Sequence, residues 1–145
     1  MILTVTVNTS PVSSNRIYPS NRSGRRFLSK EGAAYKREVQ IATRDAYLSQ
    51  GFSINPETQF ISSEVFFYST KLLTKQGKLN KKKPDTDNCL KALLDSIFET
   101  LGIDDYLNMD CSAQVMPASK DSIVVILRAH HLSAKFDIFK TGTDN

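Results

Sequence analysis

Asp85 and Asp87 stand two residues apart, directly behind the run Lys81-Lys82-Lys83, and Lys91 follows Asp87 by one helical turn. Carboxylates hold hard cations such as Mg²⁺, lysines attract a polyanion, and a cation held by few protein oxygens keeps positions open for phosphate and water. Charges of both signs packed so closely point to chemistry on a phosphate. Each residue also has a plainer reading. Asp85 can cap a helix, Asp87 suits a first turn, and Asp87, Lys91 and Asp95 at i, i+4 steps can be ordinary surface pairs. An EF-hand loop is excluded, because its sixth position would be Leu90 and its twelfth Ser96. A second acidic pair, Asp104-Asp105, lies in a turn after Gly102. His130-His131 has no partner at ligand spacing and reads as surface.

The basic residues are concentrated. Arg16, Arg22, Arg25, Arg26 and Lys30 fall in one stretch, and Lys71, Lys75, Lys78, Lys81, Lys82 and Lys83 in another, with no Asp or Glu in either. These eleven are more than half of the 19 basic residues, which leaves eight against all 15 acidic ones elsewhere, a net of −7. An acidic body with two basic arms is the layout expected of a surface that grips a nucleic acid backbone.

The elements that must position these residues follow from periodicity. Residues 2–7 alternate and are β-branched, so they predict a strand. Residues 8–29 are rich in Ser, Asn, Pro and Gly and predict a long loop, of a size that is usually functional or disordered. Ser29 is a candidate N-cap, and Tyr35, Val39, Ala42 and Ala46 recur at helical spacing until Gly51. Residues 59–68 predict a second strand, followed by the lysine loop. Leu90, Leu93, Leu94, Ile97, Phe98 and Leu101 define the buried face of a second helix, which Pro84 cannot enter, Asp85 or Thr86 can cap and Gly102 ends. Residues 109–117 and 122–128 predict a hairpin turning at 117–121. The class is α+β, a small mixed sheet in the order β-α-β-α-β-β with two main helices.

At 145 residues the chain suits one domain, expected over 1–132, with a weakly ordered tail over 133–145. Such a domain buries roughly two-thirds of its unfolded surface and needs no staples. Two cysteines, Cys89 and Cys111, make no disulfide framework and no zinc spacing. A reducing cytoplasm is the simplest compartment. The N-terminus lacks the features of a signal peptide, and no segment approaches the roughly 20 apolar residues of a membrane span.

Residues 83–95, Lys-Pro-Asp-Thr-Asp-Asn-Cys-Leu-Lys-Ala-Leu-Leu-Asp, followed by Gly102-Ile103-Asp104-Asp105, resemble the (R/K)-x-D-x-D-N-x-x-K-x-x-x-D … D-D core of the RusA-type Holliday junction resolvases. Pro11-Val12-Ser13-Ser14-Asn15-Arg16-Ile17-Tyr18 and Ser29-Lys30-Glu31-Gly32-Ala33-Ala34-Tyr35 are similar to that family's P-P-S-x-N-x-x-Y … S-x-E-G-x-x-Y. The likeness runs over about residues 2–128. It implies a RusA-like fold and a homodimeric, Mg²⁺-dependent endonuclease that resolves four-way (Holliday) DNA junctions by paired phosphodiester hydrolysis. By the same resemblance Asp85, Asp87 and Asp105 would hold metal, and Lys91 would stabilise charge at the phosphate or orient the attacking water. Asn88 and Asp95 occupy supporting positions. The acidic pair sits one residue closer to Asp85 than in the usual pattern, and Tyr106-Leu107 replaces a small residue and Gln, so Asp104 stands as an alternative to Asp105. The resemblance also makes a prophage origin plausible.

Helix geometry adds an expectation about assembly. Sixteen helical residues at about 1.5 Å each put Asp87 and Asp105 at opposite ends of a rod roughly 24 Å long. The few residues after Gly102 recover about 10 Å even if fully extended. One ion cannot then touch both ends within one chain, and Asp105 is expected to complete the site of a partner subunit across a two-fold axis. Two other classes compete: a branched-DNA-binding protein that does not cut, and a metal phosphohydrolase acting on nucleotides, which would have little use for two basic arms.

Overall fold

The computed structural model describes residues 1–133. Its strands are β1 (Ile2–Val7), β2 (Gln59–Ser69), β3 (Asn108–Pro117) and β4 (Ser122–His131), and its helices α1 (Ser14–Ile17), α2 (Lys30–Gln50) and α3 (Thr86–Leu101), with a 3-10 turn at Asp105–Leu107. The predicted α+β class and both main helices are present. All but the first residue of the expected tail lies outside the described residues.

The helices begin and end for local reasons. The Ser29 hydroxyl accepts from the N–H of Gly32 at 2.9 Å, so α2 starts where a hydroxyl satisfies a free donor. Asp85 caps α3 in the same way, accepting from the N–H of Asp87 at 3.2 Å. At the far end Gly102 adopts φ 66°, ψ 31°, a left-handed conformation that costs glycine little, and its N–H returns to the α3 carbonyls of Phe98 and Glu99.

The sheet runs in the order β1-β4-β2-β3. Leu3, Val5 and Val7 of β1, Ile61, Val65 and Phe67 of β2, and Ile123, Val125 and Leu127 of β4 alternate inward. They form one core with Tyr35, Val39 and Ala46 of α2 and Leu93, Leu94, Ile97 and Phe98 of α3. Burying the Val, Leu, Ile and Phe side chains among them stabilises each by about 1.5–3 kcal/mol relative to exposure.

The hairpin expected between residues 109–117 and 122–128 does not form. β3 pairs parallel with β2, while β4 pairs antiparallel with both β2 and β1, so β2 lies between the two strands. The cause is α3. A parallel pair needs a crossover connection, and α3 supplies one by carrying the chain from the end of β2 back to its beginning. The segment 118–121 then crosses the end of β2, where the N–H of Ala118 donates to the carbonyl of Ser69 at 3.1 Å. β4 also runs three residues past its expected end. Its polar tail is held by a salt bridge between Arg128 and Glu64 and by a 2.8 Å hydrogen bond between His130 and Ser62. His130 also stacks on Phe60, so of the histidine pair only His131 is a simple surface residue.

The two basic segments are ordered hairpins. In the first, Ser20 and Arg26 bridge, and Asn21 Oδ1 accepts from the N–H groups of Ser23 and Arg25, which presents Arg22 and Arg25 to solvent. The loop is anchored by α1, which sinks Ile17 and the preceding Val12 into the core. In the second, Leu73 bridges Leu79, and the N–H of Thr74 donates to the carbonyl of Lys78 at 2.7 Å.

Candidate active site and nucleic-acid interface

The N-terminus of α3 is the hub. Asp85 uses one carboxylate oxygen for the N–H of Asp87, and its other oxygen accepts from Asn88 Nδ2 at 3.0 Å. Each oxygen keeps a lone pair, so Asp85 can cap the helix and still act as a ligand. Asn88 steers that carboxylate, and its backbone carbonyl accepts from the Ser14 hydroxyl at 2.9 Å, which docks α1 and the first arm onto α3.

The acidic residues divide among three hollows. Asp85 lines a hollow of about 320 Å³ together with Ser13, Arg16, Lys71, Lys82, Lys83 and Asp121. Basic residues from both arms therefore converge beside it. Asp87 lines a groove of about 360 Å³ between α3 and β3, with Lys91 and Asp95 on its helical side and Asp105 across from them. Its floor is Leu90, Leu94, Phe98 and Cys111. Asp104 faces a third hollow, with Tyr47, Phe52 and Leu101. After Gly102 the chain folds back so that Asp105, but not Asp104, shares a groove with Asp87 and Lys91.

Sharing a groove is not sharing an ion. Among the described residues no group of three or more His, Cys, Asp or Glu side chains is placed to hold a metal. In kind the donors suit a hard divalent cation, being exposed carboxylates at Asp85, Asp87 and Asp105. No thiolate competes at the helix start. Cys89 is buried, and burial first, then the Asp85 charge, pushes its thiol above the ordinary value.

Supporting charges surround this hub. Lys36 of α2 donates to the Tyr18 hydroxyl at 3.0 Å, with its ammonium 5.6 Å from the ring centre. That hydrogen bond, with smaller help from Glu99 and Asp95, holds the ammonium above its usual pKa.

The eleven basic residues differ in availability. Arg16 forms a salt bridge with Glu31, and Arg26 donates to the Tyr18 carbonyl at 3.1 Å. Arg22, Arg25, Lys30, Lys75, Lys78 and Lys81 are exposed, as are Lys71 and Lys82. Asp121 was not singled out from the sequence. Glu31 entered only as a matched position of the family motif, and it lies in the first turn of α2.

An acidic pair on a helix N-terminus, flanked by two basic segments of an α+β fold, is an arrangement suited to work on a nucleic acid. Residues 8–128 match the family model described as Endodeoxyribonuclease RusA, and the chain belongs to that family of Holliday junction resolving endonucleases. A search of curated proteins finds no match. Among the described residues no helix is long and apolar enough to cross a membrane.

Proposed function

We propose that the protein resolves four-way DNA junctions as a Mg²⁺-dependent homodimer, in which Asp85 and Asp87 of one chain and Asp105 of the partner subunit hold the cation. The observation that carries this reading is the α3/β3 groove, with Asp87 and Lys91 on one wall and Asp105 on the other. A two-fold axis across that groove brings each helix start toward the other chain's acidic turn and covers its apolar floor. Two equivalent sites then suit two symmetric cuts.

When bound, the cation supplies Lewis-acid activation of phosphate and water. The chain's residues do the rest. The two arms hold the backbone beside Asp85, and Asn88 fixes the Asp85 carboxylate. Lys91 stabilises the negative charge that builds on the phosphate as the water oxygen bonds to phosphorus. One backbone P–O bond breaks, the departing oxygen takes a proton from solvent, and the water's lost proton passes to solvent.

Mixing Asp87→Asn and Asp105→Asn subunits, each inactive alone, tests the shared site. Mixed dimers retain one intact site and should regain nicking of a labelled four-way junction in Mg²⁺. Failure to regain it, with mixed dimers shown to form, would mean a site within one chain. A parallel assay in EDTA separates cutting from binding, because a non-cutting binder would leave the strands whole after Mg²⁺ is restored.

A further inference from the structure

Asp121 lies where the segment from β3 to β4 crosses the end of β2, and it fastens three parts of the chain. Its Oδ2 accepts from the Ser10 hydroxyl at 2.5 Å, and its Oδ1 accepts from the backbone N–H of Thr70 at 2.7 Å. Ser10 follows β1 at the root of the first arm. Thr70 follows β2 at the root of the second. The same carboxylate lines the hollow in which Arg16, Lys71, Lys82 and Lys83 meet Asp85.

On charge alone this is the wrong residue for that place. A carboxylate in a hollow that receives phosphates repels them, and removing it should tighten DNA binding. Its bonds give it another use. The Ser10 hydroxyl, then the Thr70 N–H, hold its carboxyl below the usual range, because both hydrogen bonds favour the ionised form.

We propose that Asp121 is a positioning residue that sets the spacing of the two basic arms by holding Ser10 and Thr70 on one carboxylate, so that both arms engage one junction. The proposal rests on the junction-binding reading above. Neither basic hairpin contains Asp121, and no motif in the sequence marked it.

The test is binding of full-length protein to a synthetic four-way junction in EDTA at several salt concentrations, with Tm measured beside it and kcat and KM measured in Mg²⁺. Asp121→Ala frees the two arms, whose ordering then opposes binding, and should weaken junction binding about tenfold and raise KM alike, with kcat at saturation within about twofold. Asp121→Asn should restore most of the affinity, since an amide oxygen still accepts from Thr70 while the amide group bonds Ser10. Ser10→Ala removes one of the two hydrogen bonds and should give a smaller loss in the same direction, which keeps the test open should Asp121→Ala fail to fold. Tighter binding by Asp121→Ala would mean that charge alone decides, and unchanged affinity with a lowered Tm would make the clasp purely structural. Either result overturns the proposal. A wild-type protein that does not bind junctions instead overturns the functional reading on which it stands.

Discussion

Gly32 packs its backbone of α2 against Ile17 of α1, and replacing it separates two physical effects of opposite sign. A Cβ at Gly32 would lie 2.8 Å from both Cα and O of Ile17 and 2.9 Å from Ile17 Cγ2. Two of those atoms are backbone, in a helix whose Ile17 side chain is fully buried, so little can move aside. Helix propensity favours Ala over Gly by about 0.8–1 kcal/mol in a helix interior, and by less in the first turn where Gly32 lies. Overpacking of this kind costs about 1–3 kcal/mol. The clash should win, and Gly32→Ala should destabilise the protein by about 1–2 kcal/mol.

For a chain of this size that loss lowers Tm by roughly 2–8 °C. Thermal and urea unfolding measure it, with Ala34→Gly, at an exposed position on the same helix, as a control for propensity alone. Displacing α1 also loosens the Ser14 to Asn88 bond and shifts Arg16, so junction binding should weaken even well below Tm. A Gly32→Ala protein that melts at or above the wild-type temperature refutes the claim that the two backbones touch. Unchanged junction binding in a destabilised variant refutes the link from α1 to the site.

Asp85→Asn should keep stability within about 0.5 kcal/mol of wild type, because Asn caps a helix as well as Asp, yet abolish nicking; Asp85→Ala should lose nicking and about 1 kcal/mol of stability. Equal nicking by Asp85→Asn would remove Asp85 from the ligand set. Replacing Lys75 and Lys78 by Ala should flatten the slope of log affinity against log salt by about 0.9 for each phosphate no longer engaged, and an unaltered slope would put that hairpin off the DNA. Cys111, exposed on the groove floor, should react with a maleimide quickly in dilute protein and slowly at concentrations that favour dimers, while Cys89 should react only on unfolding. A Cys111 rate independent of concentration would move the dimer interface elsewhere. The folded pKa of Asp121 lies below its ordinary 3.8, so its contribution to stability is complete above about that pH and is lost as pH falls through the folded value. Acid titration of stability should show this, and Asp121→Asn should remove that part of the acid sensitivity; an identical profile in the variant would contradict it.

The residues proposed to hold metal and phosphate were legible in the sequence because they belong to one helix and its ends. Asp85, Asp87, Asn88 and Lys91 fall within two turns of α3, where periodicity, cap and stop all agree, and no distant partner is needed to position them. The connection of β3 to β4 was not legible. A short polar segment between two strand-like runs reads as a hairpin whether the strands are neighbours or another lies between them, and only the α3 crossover decides. Asp121 was hidden for the same reason, since its partners lie 111 and 51 residues away in sequence. The order within the basic arms was hidden too: their composition signals loop, while the hairpins depend on single bridges such as Leu73 to Leu79. What the sequence displayed is therefore the proposed reacting end of the molecule, encoded locally. On the proposed reading the grip on DNA depends on long-range interactions that bring two separate arms beside Asp85, and it is there that substitutions outside any recognisable motif should alter affinity without touching the chemical step.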